Sequence, residues 1–358
     1  MIIKSLKLSG FRSYDKREFV FDDKLNIIVG KNAVGKTNLL EAIYFFCIGK
    51  SFKTAKEKEV INWNTDLSKI EIVVERKFRT VKLEMFFSKN SKKTIKINGI
   101  PIKKTGEILG ELNGIFFSPD ELRLIKESPD ERRKFMDIDI SQTNKTYFYL
   151  IQRYEKILAS RNKLLKTTNE YKNLKDTIDI WDRQLADVAK KIILERRKFV
   201  EELSPLASLA CEYMTEGREK IKLQYVGMEG ETAEEIESNI LKKLEKNIER
   251  DYRLGYTSVG PHRDEIDVYI NDIEVKTFGS QGQQRTAALA MKLAELEIIE
   301  RKAGEKPILL LDDVFSELDK GRREKLLKFT SKAQTFITCT DFEDNKLNHK
   351  RIEIRKEN

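Results

Sequence analysis

The sequence predicts an α/β fold: a mixed, largely parallel sheet with flanking helices, assembled from both ends of the chain, and a helical lobe inserted between them. Three observations predict it. A glycine-rich turn stands between a short apolar strand and a buried helix close to residue 30. A second apolar strand, close to residue 310, ends in two carboxylates. Between them lie long segments whose apolar residues recur every three or four positions, the period of an amphipathic helix.

The chain opens on Ile2 to Leu8, which alternates as a strand does and does not read as a secretory leader. Leu25, Ile27, Ile28 and Val29 form a second β-type run. It leads into Gly30-Lys31-Asn32-Ala33-Val34-Gly35-Lys36-Thr37, the pattern G-x-x-x-x-G-K-[ST] of a phosphate-binding loop. Gly30 and Gly35 let the backbone curl so that successive N–H groups point inward at phosphate oxygens, and a Cβ there would obstruct the approach. Lys36 brings a point charge to the β- and γ-phosphates, and the Thr37 hydroxyl is placed to ligate Mg²⁺. Asn38 to Phe46 reads as a buried helix with its N-terminus aimed at the anion. Gly30 to Asn38 is therefore the candidate ATP site.

The strand Lys306 to Leu311 carries four consecutive aliphatics, as a strand covered on both faces does. Asp312 and Asp313 emerge at its carboxyl end, where α/β sheets bind ligands. Asp312 is the expected Mg²⁺ partner, directly or through water. Asp313 stands where a general base or water-positioning group belongs. Just upstream, Phe278-Gly279-Ser280-Gln281-Gly282-Gln283-Gln284-Arg285 precedes a helix-like run from Thr286 to Glu300. A Ser hydroxyl and glycine amides at a helix start make a second phosphate cradle, although Ser280 alone also reads as an ordinary N-cap. Ser280-x-Gly282-Gln283 resembles the signature motif of ABC-type ATPases, and Ser316-Glu317-Leu318-Asp319 follows where those proteins carry a D-loop. That architecture implies a symmetric homodimer with two nucleotides sandwiched head to tail, each P-loop facing the other protomer's signature.

More than two hundred residues separate Thr37 from Ser280, beyond the reach of a compact transporter ATPase and far short of a full SMC arm. Leu6 to Tyr14 (LKLSGFRSY), Phe117 to Asp137, Tyr154 to Lys166, Thr257 to Asp264 (TSVGPHRD) and Ser280 to Glu295 resemble the RecF family, in order, and the likeness runs to Thr338-Cys339-Thr340-Asp341. The resemblance implies an ABC-type, SMC-head-like ATPase without a long coiled coil, acting in DNA gap repair. It implies duplex DNA and single-strand/double-strand junctions as partners, with little sequence readout, and RecR as the protein that helps load recombinase. It also implies an ATP-driven dimer with slow hydrolysis. A chromosome-tethering SMC-like head and a transporter ATPase are the competing classes. The short insert disfavours the first, and the spacing and basic charge disfavour the second.

Composition sets limits. The formal net charge is +9 and charged residues make up 35%, which suits a protein that meets polyanions. Three isolated cysteines and two histidines give no zinc pattern and fit a reducing cytoplasm, and no apolar run is long enough to span a membrane. The middle of the chain reads as helical, with stripes such as Tyr147, Ile151, Tyr154, Leu158 and Leu165 interrupted by Arg161, and with breaks at Thr167–Asp176 and Gly227–Thr232. The expected organisation is residues 1–140 and 251–358 as the ATPase lobe and 141–250 as the helical lobe.

Several side chains carry two open readings. Lys92, Lys93, Lys103 and Lys104 flank the predicted hairpin turn Asn98-Gly99, either as a phosphate-contacting ridge or as lysines guarding a sheet edge. Arg132 and Arg133 are either a second basic pair or structural. Arg12 matches an N-terminal arginine that contacts nucleotide in SMC-like heads, against a plain surface arginine. Gln142 is either a Q-loop glutamine or plain loop, and His262, in Gly260-Pro261-His262-Arg263-Asp264, matches the RecF pattern and also reads as a structural residue at a turn. Thr340 and Asp341 stand where ABC ATPases place a His, and Asp313 replaces the usual Glu; both departures point to slow hydrolysis.

Overall fold

The structure, a computed structural model, describes residues 1–119, 123–168, 171–318, 320–330, 333–341 and 349–355. The chain forms two compact units: Met1–Leu122 with Tyr213–Glu216 and Lys292–Asn358, and Arg123–Glu212 with Gly217–Met291.

The first unit begins with β1 (Ile2–Phe11), β2 (Tyr14–Val20), β3 (Leu25–Val29), α1 (Lys36–Ile48), β4 (Leu67–Glu75), β5 (Thr80–Ser88), β6 (Thr94–Ile97), β7 (Ile100–Pro101) and β8 (Gly114–Phe117). Six of these strands form an antiparallel sheet in the order β2-β1-β4-β5-β6-β7. Ile3 and Leu6 are both buried although an odd number of positions apart, because the pairing of β1 with β4 slips between Ile3 and Ser5. At the far edge Ile97 pairs with Ile100 across Asn98 (φ 51°) and Gly99 (φ 81°), the two-residue turn the sequence announces.

The second unit carries α2 (Arg123–Lys126), α3 (Pro129–Thr143), α4 (Lys145–Thr167), α5 (Tyr171–Thr215), β9 (Ile221–Val226), α6 (Ala233–Leu254), β10 (Glu265–Ile270), β11 (Ile273–Glu274) and α7 (Val275–Phe278). The helix α8 (Gln281–Ala303) leads back to the first unit, which ends with β12 (Ile308–Asp312), α9 (Lys320–Thr330), β13 (Thr335–Cys339) and β14 (Lys350–Glu353). A second sheet of the first unit has the order β14-β3-β13-β12-β8, and every neighbouring pair is parallel. Each residue of β3, β8, β12 and β13 is buried, which is why these strands read as unbroken apolar runs. Parallel and antiparallel pairings are thus segregated into two sheets.

The second unit is not purely helical. β9, β10 and β11 form a small antiparallel sheet, with Ile221 and Leu223 facing Ile266, Val268 and Ile270 on the buried side. That ladder draws residues beyond 250 into this unit, and α3 joins it too, with Phe135 packed edge-on against Phe199 of α5 at 5.9 Å. The compact units therefore divide after Leu122 and Met291, where the sequence suggested 140 and 250. The helix α5 is 45 residues long and begins at Tyr171, inside the expected loop. Thr232 caps α6 in a reciprocal box with Glu235, at the end of the break read as Gly227–Thr232.

Buried charge holds the second unit together. Arg161, which interrupts the α4 stripe, is fully buried and donates to Asp182 (2.6 Å), Asp251 (2.9 Å) and Thr257 (3.0 Å). Arg196 binds Asp137 (2.9 Å), Asp264 (3.0 Å) and the Pro261 carbonyl (2.6 Å). His262 lies between Tyr154 and the Thr257 carbonyl. A carbonyl only accepts, so Nε2 carries the proton and Nδ1 accepts from the Tyr154 hydroxyl at 2.6 Å. Burial lowers the His262 pKa to about 4 and raises that of Asp264 to about 6.

Candidate functional site

Gly30 to Gly35 joins β3 to α1 at the carboxyl edge of the parallel sheet. The curl is made by Ala33 (φ 63°) and Gly35 (φ 109°), both left-handed. Gly35 is also hemmed in: a Cβ would stand 2.6 Å from Ser13 Oγ, and the Tyr14 hydroxyl donates to its carbonyl at 3.0 Å. Gly30 has a second reason to be glycine. A Cβ there would meet the carbonyl oxygen of Ile354 at 2.5 Å, just past β14. Lys36 Nζ donates to the Gly30 (2.5 Å) and Lys31 (3.0 Å) carbonyls, so its ammonium is held across the loop.

Thr37 and Asp312 meet as the paired motifs require. Thr37 Oγ1 donates to Asp312 Oδ1 at 3.1 Å, and Thr338 on β13 donates to the same oxygen at 2.6 Å. Thr338 Oγ1 also accepts the Asp313 N–H at 2.9 Å, and Asp313 adopts a left-handed φ of 51°. A hydroxyl beside a carboxylate is an oxygen donor set suited to Mg²⁺, which keeps water and phosphate oxygens for its remaining positions. A curled loop behind a lysine and a helix N-terminus suits a nucleotide phosphate chain. The residues fit both groups.

The sequence reading missed the polar cluster beside the loop. Glu41 on α1 is fully buried, and Arg12 donates to both its oxygens, at 3.0 and 2.7 Å. Ser51 donates to it at 2.5 Å and Lys53 Nζ lies 3.9 Å away. Lys53 also donates to Asn38 Oδ1 at 2.9 Å, and Asn38 Nδ2 donates to Ser13 at 3.1 Å. Burial, partly opposed by Glu41, lowers the Lys53 pKa. Arg12 is thus tied to α1, with Nη1 on the Glu59 carbonyl at 2.8 Å. One signal was available: an acid amid the apolar run Leu39 to Ile48.

At the start of α8, Ser280 Oγ accepts the Gln283 N–H (3.2 Å) while Gln283 Oε1 accepts the Ser280 N–H (2.9 Å), a reciprocal cap. Gly282 stands in open space: a Cβ would meet only Ser280 Oγ, at 3.8 Å. Gln142 is buried in the last turn of α3. Thr340 and Asp341 are exposed after β13. Asp319 lies outside the described residues, as do the side chains of Ser316 and Glu317.

Three of the basic candidates are engaged within the fold, Arg132 buried and Arg133 and Lys93 half-buried. Arg132 is 2% exposed and donates to Glu265 (2.5 and 2.7 Å) and the Leu124 carbonyl (2.8 Å). Arg133 is held by Asp130 and by the Asp264 carbonyl at 2.7 Å. Lys93 pairs with Glu57 and donates to the Gly49 carbonyl at 2.8 Å. A guanidinium or ammonium already paired within the fold is not presented to a phosphate backbone, which favours the structural alternative at all three positions over the phosphate-contacting one. Lys92, Lys103 and Lys104 are exposed.

Comparison with known proteins gives a consistent outcome. Residues 2–358 match the RecF/RecN/SMC N terminal domain family. A DNA replication and repair protein RecF from Ruminiclostridium cellulolyticum is 44% identical over 349 residues, covering 96% of this chain and 94% of that protein. Its counterpart from Alkaliphilus oremlandii is 44% identical, with the same coverage of both chains. Among solved structures, the recombination mediator protein RecF with ATPrS in the RecFOR pathway superposes with a TM-score of 0.91 at 35% identity, covering 99% of this chain and 96% of that one. An Smc head bound to the C-winged helix domain of ScpA has a TM-score of 0.55 at 19% identity over 96% and 90% of the two chains, a likeness of fold alone.

Proposed function

The chain belongs to the RecF family, and from that premise we propose that it is an ATP-dependent DNA-binding protein of replication and repair whose two protomers close on one another when ATP is bound. The single observation that carries the closing step is Gly282. No described residue of its own chain crowds that position, whereas a phosphate approaching from a second protomer would need the space. The ATP-bound RecF structures and the name of the curated relatives support the remainder.

In this reading the loop N–H groups and Lys36 hold the phosphates, Thr37 and Asp312 hold Mg²⁺, and Thr338 keeps Asp312 and the Asp313 backbone in place. Bound Mg²⁺ offsets the charge on the β- and γ-phosphate oxygens. Asp313 orients the attacking water and takes its proton. Ser280 and Gly282 of one protomer complete the site of the other. A carboxylate one methylene shorter than the usual Glu suits slow turnover, so that ATP acts as a timer for DNA residence. The partner expected from the family is RecR, at single-strand/double-strand junctions.

Sedimentation with and without ATP tests the proposal, together with Ser280→Arg. The variant alone should bind ATP as a monomer and fail to dimerise or hydrolyse it. Mixed with the parent chain it should recover one working site per heterodimer, because its own P-loop then faces an intact signature. Mixed with Lys36→Ala it should stay inactive, since neither site is complete. Full ATPase activity of Ser280→Arg on its own would reduce Ser280 to a helix cap and remove the composite dimer.

A further inference from the structure

Several surface cations of the long helices are neutralised one turn away. On α5, Arg183 pairs with Asp179 at 2.8 Å and Lys191 with Asp187 at 3.0 Å. On α6, Arg253 pairs with Glu249 at 3.7 Å, and on α8, Arg301 with Glu297 at 3.2 Å. Helix α6 also exposes Lys242, Lys243, Lys246 and Arg250 outside any such pair, but it carries six acids of its own; α4 differs in its charge balance. Its 23 residues contain a single acid, Glu155. Arg153, Lys156, Lys163 and Lys166 are exposed, and no ion pair joins them to any described residue. No acid stands three or four positions from Arg153, Lys156 or Lys163, and Glu170, four positions after Lys166, lies outside the described residues.

The four cations lie within an arc of about 140° and over roughly 20 Å of helix at 1.5 Å per residue. Gln152, Ala159 and Thr167 are the exposed residues between them, and Glu155 stands at the margin. A row of uncompensated like charges repels itself and destabilises the helix that carries it unless an anion with repeating charge lies alongside. An acidic protein surface would find no apolar anchor in this arc larger than Ala159, and protein interfaces are organised about such anchors. A phosphate backbone needs none.

We propose that this face of α4 is the surface along which the protein tracks the phosphate backbone of duplex DNA, with Arg153, Lys156, Lys163 and Lys166 as the contacts. It rests on the DNA-binding function proposed above and moves the contact to α4 from the β6–β7 hairpin, whose Lys93 is engaged within the fold.

The test replaces Lys156, Lys163 and Lys166 by Gln in the full chain. A charge-matched control carries Arg183→Gln, Lys191→Gln and Arg253→Gln, which remove as much positive charge from paired positions. Anisotropy of a labelled duplex of about 30 base pairs is followed through a salt series with ATP and Mg²⁺ present, and ATP binding is measured to confirm the fold. Each phosphate contact contributes a slope of about −0.9 in log K against log salt. The α4 variant should therefore lose about 2 to 3 of the slope and on the order of a hundredfold in affinity at 0.1 M salt. The control should stay within about threefold of the parent. A parental slope in the α4 variant, or an equal loss in the control, overturns the assignment. Unchanged duplex affinity with lost binding to polyglutamate also overturns it, in favour of an acidic protein partner. A parent chain with no duplex affinity at all would remove the DNA-binding function itself, and this surface with it.

Discussion

Thr338→Val separates the metal-dependent part of nucleotide binding from the rest. Thr338 is buried, and its hydroxyl does two things: it donates to Asp312 Oδ1 at 2.6 Å and accepts the Asp313 N–H at 2.9 Å. Valine keeps the branched shape and removes both bonds. The Asp313 N–H retains the Thr338 carbonyl at 3.2 Å, so the principal loss is the bond to an ionised carboxylate, worth about 2 kcal/mol. Asp312 is then restrained by Thr37 alone, and Thr37 must share its hydroxyl with the metal. A restraint of about 2 kcal/mol corresponds to about 30-fold in binding. Calorimetric titration of ATP with Mg²⁺ should show a loss of 10- to 30-fold by this estimate, while ATP binding in EDTA should hardly move. Thr338→Ser, which keeps the hydroxyl, should restore most of the difference. Equal losses with and without Mg²⁺, or none in either, would refute the view that Thr338 acts through Asp312.

Three further outcomes follow from the structure. Lys36→Ala should abolish ATP binding and ATP-driven association without altering the fold, because its ammonium bonds only to the loop carbonyls it spans; Asp313→Asn should keep ATP and trap the dimer, and parental turnover in that variant would move the base elsewhere. Acid stability should report His262 and Asp264 with opposite signs. His262, lowered to about 4 from 6.5, stabilises above pH 6.5, and that contribution is lost as pH falls towards 4. Asp264, raised to about 6 from 3.8, stabilises below pH 3.8, and that contribution is lost as pH rises through 6. The two offset each other between pH 4 and 6, so His262→Gln should unmask a melting temperature that falls across that window. A profile parallel to the parent's would show that His262 does not titrate as its surroundings require.

Much of the nucleotide site was legible because its chemistry is local in sequence. Eight consecutive residues make the loop, and an apolar strand with terminal acids advertises its metal partner. The buried parallel strands were legible for the same reason, since burial on both faces leaves an unbroken apolar run. What escaped notice depends on residues far apart in the chain. Glu41 looks like a helix acid until Arg12, Ser51 and Lys53 are seen to converge on it. Thr338 is one more β-branched residue until β13 is placed beside β12. The strands β9 and β10 show period-two alternation, but each is only six residues long and lies among helical stripes that dominate any longer window. At Arg132 and Arg133 both readings stayed open because charge is visible in a sequence and burial is not.

The strand order β14-β3-β13-β12-β8 bears on how the protein is made. The strand β3 is made long before either of its neighbours, which come from residues 335–353. Until residues 335–354 are made, Leu25 to Val29 is an apolar strand with two open edges, and the loop after it has no floor beneath Gly30. A chain stopped short of β13 therefore carries an intact phosphate-binding motif that has no site to belong to. The ability to hold ATP becomes a mark that β13 and β14 have been made, and the long interval before it is the period when a nascent chain most needs a chaperone.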